Sequence, residues 1–399
     1  MLLWKSHGVF ATYNIVFDTD PNARLSQLAH GLGAESLAHP ITVFLFSWPL
    51  RAVSEVVDWI HGGSDPIQLR ESIAVWITPL GSSIKVGIAY LTGRVMGASR
   101  VGGLGLALLA GFSLAPAVFG ALPEHYPLSG LALTATFAWA AAVQFGAAPN
   151  RYLVWLALSL LVTGISITNI GPVLSLYLVC RLSNGQTLRR ALASAAVLGL
   201  LSVGIMTCVS LACYRTVRGP DPAGATVSFV ARYLRRPALE IGMRYGVALA
   251  TSVIGPYPAV IPNQWAVARK AEGKKEINVQ FSYDASPLTA WTWARTLAIL
   301  SLAGLGAWQG WRRDTRFRGL SIGALMVLGH NGILHTVWGT EWMLYSMHWH
   351  PALLMLLAGW LVRSSQGGAW MLLTLGLVSA VDAAMVIREM LQLLERALV

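Results

Sequence analysis

The stretch RALASAAVLGLLSVGIMTCVSLA, residues 190–212, has no charge after its first residue and is long enough to cross a hydrocarbon core as one helix. It is rich in alanine, glycine and serine, which allow membrane helices to approach closely. Across the 399-residue chain, 55% of residues are hydrophobic, 12% are charged, and the mean hydropathy is +0.57. A soluble domain of this length needs far less apolar sequence. The sequence therefore predicts an all-α polytopic transmembrane bundle of about 10–11 spans, with residues 1–399 in a single domain.

Basic residues mark one side of this predicted bundle. The formal net charge is +11, and the arginines and lysines gather in short loops between apolar runs, as the positive-inside rule requires of cytoplasmic loops. Membrane lipids are therefore expected as partners, and nucleic acid is not. The apolar runs between these loops predict spans at residues 73–94, 103–121, 127–147, 152–168, 170–182, 190–212, 288–308, 320–337, 342–361 and 369–387.

Two longer segments lie outside the predicted spans. Residues 17–72 form a first outer loop with two helix-like juxtamembrane pieces, 22–32 and 41–60, the second of which looks interfacial or re-entrant. Residues 213–287 form a basic outer or interfacial loop around one weak apolar run, 245–261. If that run crossed the membrane, the basic run WRRDTRFR (311–318) would lie outside, against the positive-inside rule. We therefore expect that it does not cross.

The N-terminal segment is a poor candidate for a span because residues 1–17 include Lys5 and His7. Either the first helix is short and tilted, or the chain begins at an internal methionine. A cleavable signal sequence is not expected.

Two carboxylates end this segment, in NIVFDTDPNAR, residues 14–24. Pro21 disfavours the α conformation at Asp20 and so ends any helix there. Carboxylates beside a bilayer are costly unless they have partners or a function. One interpretation is a solvated loop with helix-capping aspartates. The other is a general base, Asp20 or Asp18, which is held by Arg24 or a histidine and deprotonates an acceptor hydroxyl.

A second candidate cluster lies in GTEWMLYSMHWHP, residues 339–351. Glu341, Tyr345 and His348 follow an i, i+4, i+7 spacing, which predicts one face of a helix. His335 would lie across the preceding loop. Aromatic residues at this depth also suit an interfacial belt, but a glutamate and a histidine on the same stripe favour a substrate site.

Two short connections are expected on the same side as the aspartates. PEHY, residues 123–126, provides Glu124, His125 and Tyr126, and Asn169 lies between two later spans. A Pro-Glu pair is equally a plain helix start, because an anionic residue in the first turn suits the helix dipole. In the predicted topology both connections meet NIVFDTDPNAR and residues 335–346 on the non-cytoplasmic side.

Three charged residues fall inside predicted spans: Lys85, Arg295 and Asp382. Such residues face the bundle interior or a cavity, or extend to an interface. Lys85 and Arg295 could hold a phosphate group or could pair with acidic residues. Arg236 belongs to the basic cluster of the 213–287 loop, which either an anionic lipid-linked substrate or a displaced topology would explain.

No cofactor motif is found in the sequence. His348 and His350 form the one closely spaced histidine pair, and they point to different helix faces. A divalent metal is conceivable but is not expected. The sequence has no phosphate-binding glycine loop, no nucleophile elbow and no Cys-X-X-Cys pair, which argues against nucleotide-driven transport and thiol chemistry.

This order of features resembles the GT-C superfamily of integral-membrane glycosyltransferases, which includes protein mannosyltransferases, arabinofuranosyltransferases and aminoarabinose transferases. The resemblance is carried by FDTD (17–20) with Arg24, by His39 and Pro40 before an apolar interfacial helix, and by PEHY. The late stretch HTVWGTEWMLYSMHW (335–349) is similar to a later outer-loop segment of a poorly characterised bacterial branch. The similarity spans most of the chain, although each motif is short.

The resemblance implies a hexosyl- or pentosyltransferase that inverts the anomeric centre of a polyprenyl-phosphate sugar and transfers it to a glycan or lipid-linked acceptor. It implies a site on the periplasmic face of a bacterial inner membrane, in surface-glycan assembly, with an acidic first-loop residue as base. That base maps to Asp20 in preference to Asp18. The substrate-binding candidates are Arg24, His39, Glu124, His125, Tyr126, Asn169, His335, Glu341, Tyr345 and His348. The lipid-phosphate candidates are Lys85, Arg236 and Arg295, since fixed cations stabilise developing anionic charge.

Two departures from the family pattern are visible. The first span is curtailed, and no large soluble C-terminal domain follows the bundle, so a small or lipid-linked acceptor is expected. Two other function classes stay open. A transporter or flippase for an anionic lipid or sugar would use Lys85, Arg295 and Asp382 as its path, and would show paired discontinuous helices in related halves. A non-catalytic assembly factor would leave the candidate site residues scattered.

Overall fold

The computed structural model describes residues 2–12, 14–21, 24–25, 48–61, 66–217, 238–270, 276–337, 341–363 and 366–398. This part of the chain is mostly helical. Its helices are α1 (Leu2–Ser6), α2 (Trp48–His61), α3 (Pro66–Ala74), α4 (Ile77–Val95), α5 (Arg100–Phe112), α6 (Leu114–Phe119), α7 (His125–Gln144), α8 (Tyr152–Ile165), α9 (Ile170–Ser183), α10 (Leu188–Val217), α11 (Ala238–Thr251), α12 (Gln264–Lys270), α13 (Ala290–Arg313), α14 (Thr315–Val337), α15 (Ser346–Leu357) and α16 (Gln366–Leu398). Short 3₁₀ turns lie at Val9–Ala11, Ile167–Asn169, Trp342–Tyr345 and Ala358–Leu361.

Four of the described helices are long and apolar enough to cross a membrane, by length and composition: 69–95, 125–144, 188–211 and 366–398. Shorter apolar helices lie at 100–112, 152–165 and 167–183. Many of their large apolar side chains face outward, as on the exposed side of α10. These features are compatible with a membrane protein, the coarse class that the composition predicts.

The predicted span 103–121 is not one helix. α5 ends at Phe112, and Ser113 has an extended backbone with ψ of 162°. Pro116 explains the break, because a proline ring in a continuous helix would clash with the carbonyl four residues earlier. The amides of Leu114 and Ala115 instead donate to the carbonyls of Val253 and Ser252, at 3.2 and 3.1 Å. The break therefore ties α6 to the end of α11.

The predicted spans 288–308 and 320–337 are joined more tightly than the sequence suggests. α13 continues to Arg313 and α14 begins at Thr315, so WRRDTRFR is a helix junction. The Asp314 carboxylate accepts from the backbone N–H of Arg316 at 2.9 Å and from its guanidinium at 2.7 Å. Arg363 Nε lies 3.5 Å from the same carboxylate. These contacts fix the turn between the two helices.

Close helix packing depends on glycine where α5 meets α16. A Cβ atom added at Gly105 would lie 2.6 Å from the backbone nitrogen of Leu373, whereas a Cβ at Gly87 would meet nothing within 4 Å. The backbone of α16 cannot move aside as a flexible side chain could. α5 and α16 therefore approach each other only because residue 105 has no side chain.

Replacing Gly105 with alanine is expected to lower the free energy of unfolding by about 1–3 kcal/mol, because the new methyl group overpacks the α5–α16 interface. Thermal unfolding of the detergent-purified protein measures the effect. Gly87→Ala is the matched control, with a helical glycine in open space, and should leave the stability equal or slightly higher. Equal stability in both variants would contradict this packing.

The segment predicted as a basic loop contains a small sheet, so the all-α class is incomplete. β1 (Ala259–Pro262) pairs antiparallel with β2 (Val279–Ser282), with Val260 opposite Phe281. The N-terminal segment begins with the short helix α1, and its residues 15–17 then run beside β2. Phe17 N–H donates to the Phe281 carbonyl at 3.0 Å, and Phe281 N–H donates to the Ile15 carbonyl at 2.8 Å. This pairing places Asp18 and Asp20 beside the hairpin.

Candidate functional site

The two first-loop aspartates follow a sharp turn of the chain. Phe17 and Asp18 both have left-handed backbones, with φ of 52° and 60°. Such a conformation is unusual for a bulky residue such as phenylalanine. Surrounding contacts hold it: the Phe17 ring stacks on Tyr283 at 4.8 Å between centroids. Gln280 on β2 donates its amide to Asp18 Oδ1 at 2.5 Å.

Asp20 is held from two directions. Its backbone N–H donates to Glu124 Oε1 at 3.2 Å. With the Asn14 amide oriented to satisfy its neighbours, Asn14 donates to Asp20 Oδ1 at 3.2 Å and accepts from Trp265 Nε1 at 3.2 Å. The residue as a whole is partly buried. Asp20 therefore has a fixed position and stays partly exposed.

Glu124 is the buried anchor of this arrangement. It caps the N-terminus of α7, and one carboxylate oxygen, Oε2, accepts from the backbone N–H of His125 at 2.8 Å. The same oxygen lies 2.8 Å from His125 Nδ1 and 3.4 Å from Arg24 Nε. Burial alone would raise the pKa of Glu124, but the charges of Arg24 and His125 and the hydrogen bonds from His125 lower it well below its usual range. Glu124 is therefore ionised and binds Arg24, which fits both the site and the helix-start interpretations of PEHY.

Glu341 is also a buried carboxylate, but its pKa is shifted in the opposite direction from that of Glu124. Ser282 Oγ donates to its Oε2, and Tyr283 N–H donates to its Oε1 at 3.3 Å. Burial raises the pKa of Glu341 well above its usual range, and the nearby charges of Asp284 and Asp18 raise it further. The protonated form is therefore favoured.

The predicted helix face containing Glu341, Tyr345 and His348 is wrong in its first two members, since only His348 lies on α15. Glu341 has an extended backbone, residues 342–345 form a 3₁₀ turn, and α15 begins only at Ser346. The hairpin explains the difference, because Ser282 and Tyr283 bind the Glu341 carboxylate and draw it away from the helix axis. The predicted continuous span 342–361 is likewise divided into a 3₁₀ turn, α15 and a second 3₁₀ turn.

The unsubstituted protein should lose stability as pH rises, because the pKa of Glu341 is raised in the folded state. A carboxyl group with a raised pKa in the folded state contributes its full stability below its ordinary pKa and loses it as pH rises through the folded value. The glutamine variant keeps an acceptor for Tyr283 but cannot ionise, so its unfolding temperature should decline less between about pH 5 and pH 9. Glu55→Gln, on the exposed side of α2, should retain the parent's profile. Identical profiles in Glu341→Gln and the parent would contradict the buried protonated form.

An aromatic cluster joins PEHY to the late segment. The Tyr126 ring lies 5.8 Å from Tyr345 and 5.6 Å from His348. His335 stacks on Tyr345 at 4.1 Å and lies 5.6 Å from His348. His125 packs on Tyr126 at 4.0 Å. Residues more than 200 positions apart in the sequence therefore form one buried surface beside Glu124.

Asn169 lies one helical turn further along the same surface. Its amide donates to Ser129 Oγ on α7 at 2.5 Å, and Ser129 follows Tyr126 at i+3. The carbonyl oxygen of Thr168 lies 3.0 Å from His330 Nε2 on α14. The Thr168–Asn169 connection thus packs between α7 and α14, beneath the aromatic cluster.

Of the three basic candidates, Arg295 and Lys85 belong to the described residues and have different neighbours. Arg295 is buried and donates from Nη2 to Thr251 Oγ1 at 3.2 Å, while its Nε and Nη1 have no hydrogen-bond partner among the described residues. It lies within electrostatic range of Tyr283 and Asp382, and Asp382 accepts from Gly255 N–H at 2.9 Å. Lys85 lies elsewhere, near His350. Arg236 and His39 lie outside the described residues.

Two spaces adjoin the site. A groove of about 600 Å³ between α4, α5 and α6 is lined by apolar side chains and by Ser82 and Ser83, and it reaches Gly120 and Ala121, a few residues before Glu124. A cavity of about 20 Å³ touches Thr251, Tyr283 and Asp284 and has room for about one water molecule. Within the described parts of the chain, no three His, Cys, Asp or Glu side chains are grouped to hold a metal ion.

Sequence reasoning missed the contribution of the hairpin. Gln280, Ser282 and Tyr283 bind the candidate carboxylates, yet they lie in the segment expected to be a basic loop. A signal was present: INVQFSYD, residues 277–284, alternates apolar and polar residues, which is typical of a strand.

Comparison with known proteins found no matching family model and no curated protein with significant similarity. The geometry of the site is therefore the basis for a functional proposal.

Proposed function

We propose that the protein is a GT-C-type membrane glycosyltransferase, an inverting enzyme that uses a polyprenyl-phosphate sugar and a glycan or lipid-linked acceptor. It would act at the periplasmic face of a bacterial inner membrane. The observation that carries the proposal is the convergence of Asp20 with Glu124, the Tyr126–His335–Tyr345–His348 cluster and Glu341, which come from distant parts of the chain. Such grouping of acidic, histidine and aromatic side chains is typical of a substrate site and argues against a non-catalytic assembly factor.

Among the carboxylates, Asp20 is best suited to act as the base. Glu124 is bound by Arg24 and His125, and Glu341 is buried with a raised pKa, so neither is a ready proton acceptor. Asp18 is bound by Gln280. Asp20 is partly exposed and is held in a position fixed by Glu124 and Asn14.

The reaction would then proceed by direct displacement. The acceptor oxygen forms a bond to the anomeric carbon while the bond from that carbon to the phosphate oxygen breaks. The acceptor proton passes to Asp20, and the electron pair of the broken bond leaves with polyprenyl phosphate. Attack opposite the leaving group inverts the anomeric configuration.

Arg295 is the best candidate for steadying the departing phosphate. Two of its nitrogens have no hydrogen-bond partner among the described residues. Tyr283 lies within electrostatic range of Arg295 and donates its backbone N–H to Glu341. A fixed cation in a partly dry site stabilises developing negative charge. Because the adjoining cavity holds about one water molecule, donor binding must widen this region.

The open groove between α4, α5 and α6 suits the lipid part of the donor. Its walls are formed mainly by Trp76, Val86, Phe112, Pro116 and Ala117. An apolar chain in this groove would be removed from water, and the groove ends beside the backbone that leads to Glu124. The sugar phosphate could thus reach the carboxylates while its tail stays in the apolar groove.

Proteoliposomes containing the protein test the proposal with a panel of radiolabelled polyprenyl-phosphate sugars and a membrane-lipid extract as acceptor source. We expect one donor to be consumed and the product to have the opposite anomeric configuration. A product with retained configuration would contradict direct displacement with Asp20 as base.

A transporter or flippase is the second candidate, favoured by the break at Ser113 and the buried Lys85. The same proteoliposomes distinguish it. Movement of an intact lipid-linked sugar across the bilayer, with no release of polyprenyl phosphate, would favour transport over transfer.

A further inference from the structure

An open groove between α1 and the C-terminal part of α16 has no part in the proposed reaction. Its volume is about 620 Å³, within the range of about 300–1,000 Å³ that is usual for ligand pockets. At one end of the groove, His7 Nε2 lies 3.5 Å from Glu395 Oε1, and both residues line the groove. This contact joins the segment after α1 to α16.

One side of the groove is apolar. Ala384, Ile387 and Leu391 follow an i, i+3, i+7 spacing on α16 and so share one face of the helix. Leu3 of α1 lines the groove with them, and these four side chains are called the apolar wall. Leu3 and Ala384 are exposed. A groove filled with water would leave the apolar wall hydrated, whereas an apolar chain would remove it from water.

A cation lies directly beside the apolar wall. Arg388 and Gln392 are one helical turn apart on α16, and both line the groove. Arg388 is exposed and makes no ion pair or hydrogen bond with the described residues. It follows the predicted span 369–387 at once, so it lies where the hydrocarbon core gives way to lipid headgroups. A guanidinium at this depth matches the oxygens of a phosphate group.

We propose that this groove binds a membrane phospholipid. One acyl chain lies along the apolar wall, and the phosphodiester accepts hydrogen bonds from the Arg388 guanidinium and the Gln392 amide. A free inorganic anion would leave the apolar wall in water, and a plain hydrocarbon would leave Arg388 without a counterion. An amphiphile with a phosphate at its polar end satisfies both parts of the groove.

The lipid would be a resident ligand and not a substrate. Its groove adjoins the proposed donor groove at Leu3, which lines both, but the donor groove has no charged side chain in its lining. The bound phospholipid would hold α1 against α16, next to the segment that leads to Asp20. Binding requires no sugar transfer, so this proposal stands or fails independently of the glycosyltransferase proposal.

Native mass spectrometry of the detergent-purified protein tests the headgroup contact. The protein is titrated with phosphatidylglycerol and, separately, with an uncharged diglucosyl diacylglycerol that has the same acyl chains. We expect the parent to bind phosphatidylglycerol more tightly, and Arg388→Gln to weaken that binding about tenfold, because it removes a charged hydrogen-bond donor. Arg396→Gln removes an exposed arginine of the same helix that does not line the groove, and should bind as the parent does. Equal binding of the two lipids by the parent, or unchanged binding in Arg388→Gln, would overturn the proposal.

A second pair of variants tests the place of the acyl chain. Ala384→Trp puts a large side chain into the groove from an exposed position, so the fold should be kept and the tightly bound phospholipid lost. Met385→Trp is the matched control, because Met385 is 51% exposed on the same helix and does not line the groove. It should retain the lipid. Equal phospholipid retention in the two tryptophan variants would refute the groove as the binding site.

Discussion

Replacing Glu124 with alanine is expected to lower the free energy of unfolding by about 3–5 kcal/mol, the usual effect of removing one partner from a buried ion pair. The substitution removes the carboxylate that lies 3.4 Å from Arg24 Nε, the cap of α7 and the acceptor of the Asp20 backbone N–H. Chemical unfolding in mixed micelles, followed by tryptophan fluorescence, measures the loss. Activity should fall as well, since Asp20 loses its anchor.

Two variants make the Glu124 result specific. Glu395→Ala removes an exposed carboxylate that lies 3.5 Å from His7, and should change stability by less than about 0.5 kcal/mol because exposed pairs contribute little. The double variant Arg24→Met with Glu124→Ala removes both charges and should recover part of the loss. Equal effects of Glu124→Ala and Glu395→Ala would exclude a buried anchor.

The coarse fold could be predicted from the sequence, because a long apolar run indicates a helix in an apolar environment. Long apolar runs are readable without any partner, and the helices at 125–144 and 188–211 lie where such runs were predicted. Breaks inside a run are harder to see. Pro116 indicates a possible break near Ser113, but the sequence is equally apolar before and after the break, so the run was predicted as one span.

The grouping of site residues was predicted in part, because residues at the same ends of successive helices meet in space. Asp20, Glu124 and Tyr345 are brought together as expected. Glu124 accepts from the Asp20 backbone N–H, and Tyr126, two residues after Glu124, packs against Tyr345. The position of Glu341 could not be read from helical spacing, since its carboxylate follows Ser282 and Tyr283 on a distant hairpin. Long-range partners of this kind override local periodicity.

The hairpin was missed for a different reason. Positive-inside reasoning assigned residues 213–287 as a loop, and the charge density there outweighed the short alternating pattern of residues 277–284. Strand formation was then decided by contacts with the N-terminal segment, where Ile15 and Phe17 bind Phe281. These contacts join the two distant segments that hold Asp18 and Gln280.

Asp20→Asn is expected to reduce sugar transfer by about 10²–10⁴-fold, the usual contribution of a positioned general base. Asparagine keeps the size of the side chain and the oxygen that accepts from Asn14, but it cannot take a proton from an acceptor hydroxyl. The folded structure should therefore survive. Asp18→Asn retains the acceptor for Gln280 and should cause a much smaller loss.

Transfer of radiolabelled sugar from the polyprenyl-phosphate panel, in membranes that contain the parent or Asp20→Asn at matched abundance, is the most direct test of Asp20 as the base of a glycosyltransferase. We expect one donor to be consumed by the parent and spared by Asp20→Asn. Undiminished transfer by Asp20→Asn at normal abundance would contradict that role.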